Sequence, residues 1–392
     1  MMDLKKAQRL ILEATPVLGR ESVPILDALK RVLVQDIMAV EDLPASDISA
    51  MDGYALSHAF LNKASVQNPV RFRIIGESPA GRPFAATVGV GESVRIMTGG
   101  VVPRGADTVV KLEDTREEGG AVICRNDPGS GAGIRFQGDS LKKGQVVLHA
   151  GDVIGPMEIG ALASLRRAYV HVHRKPLVAI LSTGDELSDF HEPSAPSKAM
   201  CSNLYSLAAQ TLETGGIPLC LGIVPDDLDE IKNILSDALH ADVIITSGGT
   251  SKGKYDLVNK AVSSLGMEMR FSNIFVKPGK PTIFGIIGEK MIFGCPGNPS
   301  ATMLSFEQFI KPALLKMMGH RNVIPGSRRL NDPFAFIDSF NYEKGGNRDH
   351  HRAPQIPLGK GSPGAGKQIQ KQNPVPVDSL AEPIPACSMG SR

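Results

Sequence analysis

Between residues 176 and 293, short apolar runs alternate with amphipathic stretches, and this alternation restricts the fold more than any other feature of the chain. Residues 176–182 (PLVAILS), 218–224 (PLCLGIV) and 242–246 (DVIIT) are too short for buried helices and read as strands. Between them, residues 203–212 repeat apolar positions at helical spacing and stop at Gly215-Gly216. A second helix, capped by Asp226 or Asp227, carries Leu228, Ile231, Leu235 and Leu239 on one side. Strands that are apolar on both faces and separated by helices predict a parallel, doubly wound sheet covered on both sides. Residues 282–287 and 290–293 then read as a hairpin around Gly288-Glu289, and a helix over 300–318 closes the unit at Gly319.

The rest of the chain has other textures. Its 392 residues allow about two to four domains. Helices are predicted over 3–14, behind an Asp3 cap, and over 23–33. Residues 36–173 are rich in Val, Ile and Gly, with alternating runs at 70–75, 93–97, 108–112, 122–125 and 146–148. They read as mainly β, with a compact module over 42–140 and an extended arm. His171 and His173 share one strand face, read as solvated rather than as a metal pair because no third ligand lies nearby. In the last 72 residues no Phe, Tyr or Trp follows Tyr342, and Gly, Pro and Gln dominate 353–376, a composition poorly able to form a core.

Composition excludes several function classes. Forty-three basic and 41 acidic residues give a formal charge of +2, so nothing favours nucleic acid or an anionic membrane surface, and anion binding must be local. Five scattered cysteines without a CxxC pair speak against a disulfide framework or a zinc ribbon and fit a reducing, cytoplasmic setting. The N-terminal MMDLKKAQRLILEAT lacks a long apolar region and a cleavage site, and no run approaches the roughly 20 residues of a membrane span. No Ser/His/Asp order, HExxH or GxSxG occurs. Residues 361–368 (GSPGAGKQ) match GxxxxGK, but Gln368 replaces the magnesium-binding hydroxyl, so this is not read as a P-loop.

Three loops follow predicted strands, where doubly wound sheets bind ligands. TGDEL (183–187) places Asp185 and Glu186 at a strand end; they suit Mg²⁺, or Asp185 simply begins a turn or caps a helix. In SGGTSKGKYD (247–256), Gly248 and Gly249 let backbone N–H groups approach a ligand, Thr250 and Ser251 offer hydroxyls, and Asp256 caps a helix or binds a metal. KPGKP (277–281) holds Lys277 and Lys280 in a proline-stiffened turn, and GCPGNPSA (294–301) opens a helix whose N–H groups favour an anion; rigid turns are the alternative reading of both.

Together with SAMDGYA (49–55), GESPAG (76–81), RIMTGGVVPRGADTVVKLE (95–113), IRFQGD (134–139) and STGDEL (182–187), these motifs resemble, in order over about residues 1–320, the molybdopterin molybdenumtransferase family, MoeA and the gephyrin E domain among its members. The resemblance implies an elongated homodimer and a chain divided into four parts. They are a MogA-like α/β domain (1–20 plus 174–320), an extended linking and dimerisation domain (21–41 plus 141–173), a mainly β module (42–140) and a C-terminal β-barrel (321–392). It implies Mg²⁺-dependent insertion of molybdate, or tungstate, into adenylylated molybdopterin with loss of AMP, and contact with the upstream adenylyltransferase. Asp256, Glu186 and Asp185 would handle metal and nucleotide. Asp52 and Thr98 would come from the partner's β module, and Arg135 would line the cleft. Gly248, Gly249, Ser251, Lys277 and Lys280 would hold phosphates or oxyanion, with Pro296, Asn298 and Pro299 as the adjoining wall.

The chain departs from the family pattern at Lys254, usually acidic, at Ser140 and Cys201, usually aspartates, and in the tail, where Arg348 or Arg352 stands for a family arginine and its serine is not identifiable. Two alternatives follow: a degenerate homologue serving as a dimeric binding scaffold, and a molybdopterin adenylyltransferase. Intact Asp52, Thr98, Glu186 and Asp256 favour insertion over the first, and the MDGYA module disfavours the second.

Overall fold

The computed structural model describes residues 2–61, 64–193, 195–248, 257–272 and 282–324. The expectations for Gly249, Ser251, Lys254, Asp256, Lys277, Lys280 and the C-terminal barrel therefore lie outside the described residues.

Helix α1 (Leu4–Ala14) begins where the Asp3 carboxylate accepts the Lys5 N–H (3.2 Å), and it buries Ala7 and Ile11 completely. No helix spans 23–33. Instead β1 (Arg20–Pro24) pairs antiparallel with Tyr169–His173, and a single 3-10 turn, Ile25–Ala28, follows. Val23, Ala28, Val32 and Leu33 are buried while Leu26 and Leu29 point outward, which is not one helical face, and Lys30 at φ +65° turns the chain away. Full cross-strand pairing outweighed local helix propensity here.

A mixed sheet builds the β module from β2 (Gly53–Leu56), β3 (Val70–Ser78), β4 (Glu92–Ile96), β5 (Thr108–Lys111), β6 (Thr115–Glu118) and β7 (Ala121–Cys124). Its order is β5-β2-β4-β3-β7-β6, antiparallel except between β3 and β4. Tyr54, Leu56, Phe72, Val110 and Val122 pack on one face, Ala55, Ile96 and Val109 on the other. Gly53 is required at the start of β2 because a Cβ there would lie 2.1 Å from the Val110 carbonyl oxygen.

Helix α2 (Pro156–Ser164), which the sequence pattern did not reveal, starts with proline in its first turn, and Glu158 accepts the Gly155 N–H at 2.9 Å. It leads to β8 (Tyr169–His173). His171 and His173 are half-buried rather than solvated. The His173 Nδ1–H donates to the Leu18 carbonyl (2.9 Å) and pins this strand to the segment after α1.

The α/β unit comprises β9 (Leu177–Thr183), α3 (Ser202–Thr214), β10 (Ile217–Val224), α4 (Leu228–Ala238), β11 (Val243–Ser247), α5 (Leu257–Ser264), β12 (Glu268–Phe271), β13 (Ile283–Ile287), β14 (Lys290–Cys295), α6 (Pro299–Ser305) and α7 (Lys311–Met317). The sheet order is β10-β9-β11-β14-β13-β12; the first four strands are parallel, and the hairpin and β12 run antiparallel. Successive residues of β9 and β11 enter different cores. Val178, Ile180, Val243 and Ile245 meet α1, α3 and the last helices, whereas Ala179, Leu181 and Ile244 meet α4 and α5. Burying Ile180 or Leu181 fully contributes about 1.5–3 kcal/mol each.

Turn chemistry sets the ends. Asp227 accepts the N–H groups of Asp229 (2.9 Å) and Glu230 (3.0 Å) to start α4, and Gly215 at φ +103° closes α3. The helix expected over 300–318 is interrupted by a π-helical segment, Phe306–Ile310. Pro312 has no N–H for the Gln308 carbonyl, and Gln8 Nε2 from α1 donates to that oxygen instead (3.1 Å). At the N-terminal end of the sheet, Arg174 holds Asp242 through two 2.7 Å bonds, and Asp242 also accepts the Leu177 N–H (2.9 Å).

Candidate functional site

The carboxyl ends of β9, β11 and β14 are adjacent: Ser182 pairs with Ser247, and Ser247 with Cys295. Each strand therefore delivers its loop to the same place, outside the sheet at the end where open α/β folds bind ligands. The loop after β11 starts at Gly248, whose φ of +92° disfavours any side chain. A Cβ there would lie 2.4 Å from the Thr183 carbonyl oxygen, so the loop crosses directly over the end of β9. Its N–H reaches back to the Cys295 carbonyl (3.3 Å).

Buried side chains tie these loops together. Asn203, in the first turn of α3, donates from Nδ2 to Ser247 Oγ (2.7 Å) and to the Gly297 carbonyl (2.8 Å), and Ser247 Oγ donates to the Pro296 carbonyl (3.5 Å). Asn298 caps α6 by accepting the Ala301 N–H (3.0 Å), with Pro299 in the first turn. Thr302 Oγ1 donates to the Asn298 carbonyl (3.0 Å) and lies against that of Pro296. Sequence motifs pointed to Pro296, Asn298 and Pro299 here and included Ser247 without giving it a role, but did not reach Asn203 and Thr302. The one sequence signal for Asn203 is polarity at a position whose helical neighbours, Leu204 and Leu207, are buried.

Carboxylates collect beside this wall. Asp185 and Glu186 follow β9. Asp185 accepts the Asp226 N–H (3.1 Å), which joins the ends of β9 and β10, so part of its work is structural. Burial, followed by the charges of Asp185 and Glu186, pushes the Asp226 carboxyl above its ordinary value.

Asp52 and Thr98 form a second group on the β module. Thr98 follows β4 and donates from both N (2.7 Å) and Oγ1 (2.9 Å) to Asp52 Oδ1, just before β2. The Thr98 backbone N–H, its hydroxyl and the nearby Arg95 charge hold the Asp52 carboxyl below the usual range. One carboxylate oxygen is thereby fixed, and the other has no hydrogen-bond partner among the described residues. Arg135, on a short strand (Ile134–Arg135) paired with Ile48–Ser49, donates to Ser140 Oγ (2.6 Å). The two groups stand on different sheets.

Comparison with known proteins gives a consistent result. Residues 2–165 match the family described as the MoeA N-terminal region (domain I and II), and 179–316 match a probable molybdopterin binding domain. The chain is 34% identical over 327 residues to the molybdopterin molybdenumtransferase of Nostoc sp., covering 81% of this chain and 75% of that protein. With the Bacillus subtilis protein of the same name it shares 37% over 299 residues, covering 75% and 70%. The crystal structure of the molybdopterin biosynthesis MoeA protein from Pyrococcus horikosii superposes with a TM-score of 0.74 at 31% identity, covering 82% of this chain and 81% of that one. The match takes in the strand-end loops and the Asp52–Thr98 pair alike, so the chain belongs to the molybdopterin molybdenumtransferase family.

Proposed function

We propose that the protein inserts molybdate into adenylylated molybdopterin in a Mg²⁺-dependent reaction that releases AMP. The observation that carries this reading is the meeting of the ends of β9, β11 and β14 at one edge of the sheet, with acidic residues after β9 and Gly248 crossing closely over that strand's end. Gly248, with Gly249, Ser251, Lys277 and Lys280, would cradle the phosphates and the incoming oxyanion. Pro296, Asn298 and Pro299 would form a stiff wall that keeps the substrate over Gly248.

The adjacent carboxylates of Asp185 and Glu186 support a divalent cation completed by Asp256 and by the substrate. Mg²⁺ takes one or two carboxylates and fills its remaining positions with water and phosphate oxygens. Gly184 and Glu186 lie close together after β9, a Cβ on Gly184 falling 2.5 Å from Glu186 Oε2. The Asp226 carboxyl, raised by burial and then by Asp185 and Glu186, reports the acidic character of this strand end. Asp185, Glu186 and Asp256 would hold the ion, which supplies charge neutralisation at the phosphates.

Asp52, Thr98 and Arg135 would enter the site from a second subunit. Support comes from the linking region, where Leu26 (75% exposed), Met157 (85%) and Tyr169 (64%) present apolar surface on elements packed beside one another. Asp52, held by Thr98, would offer its free oxygen to the substrate as a fixed carboxylate acceptor.

Purified protein supplied with adenylylated molybdopterin, Mg²⁺ and molybdate should release AMP and yield metal-loaded cofactor, and Asp256→Asn should remove most of this turnover. Binding of the nucleotide without AMP release under any divalent metal refutes the reading.

A further inference from the structure

Asn203 has no role in the reaction as set out above, yet its surroundings are unusual for the first turn of a helix. Its side chain is 8% exposed, among neighbours that are apolar and buried. The amide nitrogen spends both hydrogens on separate segments, Ser247 at the carboxyl end of β11 and the Gly297 carbonyl in the turn after β14. A carbonyl oxygen only accepts, so the Gly297 contact fixes which end of the amide faces the loops. The other end gains nothing: Asn203 Oδ1 is buried without a hydrogen-bond partner among the described residues, as is Ser182 Oγ on the residue paired with Ser247. A buried polar atom left unsatisfied costs about 1–3 kcal/mol. An apolar residue would remove that cost but would leave the Gly297 carbonyl and Ser247 without this donor. What asparagine adds is a two-pronged donor joining the end of β11 to the turn after β14.

We propose that Asn203 is the positioning residue of the strand-end site, a clamp that sets the spacing between the Gly248 loop and the Pro296–Asn298 turn so that both engage one anionic substrate. The strands beneath stay paired without it, since Ser247 and Cys295 are joined through the sheet backbone. Loss of the clamp frees the loops while leaving the sheet in place. The identity of the substrate rests on the function proposed above; the clamp itself does not.

The test uses the full chain carrying Asn203→Asp and, separately, Asn203→Ala. In ligand-free protein, hydrogen exchange over residues 247–248 and 296–300 should rise at least tenfold in both segments together, with the strands of the α/β sheet otherwise unchanged. At a temperature well below each variant's melting point, kcat/KM for AMP release should fall at least tenfold per folded molecule. Aspartate carries its own signature: ionised, it cannot donate to the Gly297 carbonyl, whereas protonated it donates once. Activity of Asn203→Asp should therefore recover as pH falls, unlike that of the wild type, because burial raises a carboxyl pKa. Loosening of neither segment, or of one alone, overturns the clamp, as does unchanged kcat/KM in both folded variants. A wild type that releases no AMP refutes the function proposed above, and the exchange measurement still decides the clamp.

Discussion

Replacing Gly248 by alanine isolates the backbone crossing on which the candidate site depends. Two effects add. A non-glycine residue at φ +92° costs roughly 1–2 kcal/mol. The new Cβ would also stand 2.4 Å from the Thr183 oxygen, about 1 Å inside the separation at which carbon and carbonyl oxygen normally touch. Relief requires the loop to lift off the end of β9, which stretches the Gly248–Cys295 bond and moves the backbone meant to face the ligand. Gly288→Ala is the control: Gly288 also has a positive φ (+58°), but a Cβ added there would meet no described atom within 4 Å, so only the backbone cost applies. Chemical denaturation should show Gly288→Ala destabilised by about 1 kcal/mol with AMP binding intact. Gly248→Ala should lose about 2–3 kcal/mol in stability, or AMP affinity by at least tenfold where the loop relaxes instead. If the two variants melt together and both bind AMP as the wild type does, the crossing does not shape the site.

Other consequences are as direct. Thr98→Val removes the hydroxyl bond to Asp52, so the Asp52 carboxyl should rise toward its ordinary value, and the acid limb of the pH–rate profile should move to higher pH. Asp242→Ala strips Arg174 of its bidentate partner and Leu177 N–H of its acceptor. A loss of about 2 kcal/mol is expected in a denaturant melt. Burial pushes the Asp242 carboxyl up, but the Arg174 and Leu177 bonds outweigh it and hold the group below its ordinary value. Its stabilisation is thus complete above the unfolded-state pKa of about 4 and is lost as pH falls through the lower folded-state value. Comparison of the acid-unfolding limbs of wild type and Asp242→Asn checks this. Met157→Asp combined with Leu26→Asp places charge on the exposed apolar surface of the linking region; sedimentation should show a dimer converted to monomer.

The doubly wound core and the strand-end loops were legible from residue pattern alone. Runs such as residues 177–183 are apolar on both faces, and only a strand covered on both sides buries them. Their loops then had to fall at the carboxyl edge. Local turn chemistry was equally legible: Asp3, Asp227, Gly215 and Asn298 cap or close helices through contacts within a few residues. Other features depend on partners far along the chain, which only the folded arrangement supplies. Residues 20–24 became a strand because 169–173 lie beside them, and the last helix carries a π turn whose freed carbonyl is met by Gln8. The strongest case is Asn203. Its one sequence signal, polarity on an apolar helix face, does not name its partners, because periodicity reports only which face is buried. Its bonds to Ser247 and Gly297 exist only because parallel pairing places β11 beside β14 beneath α3.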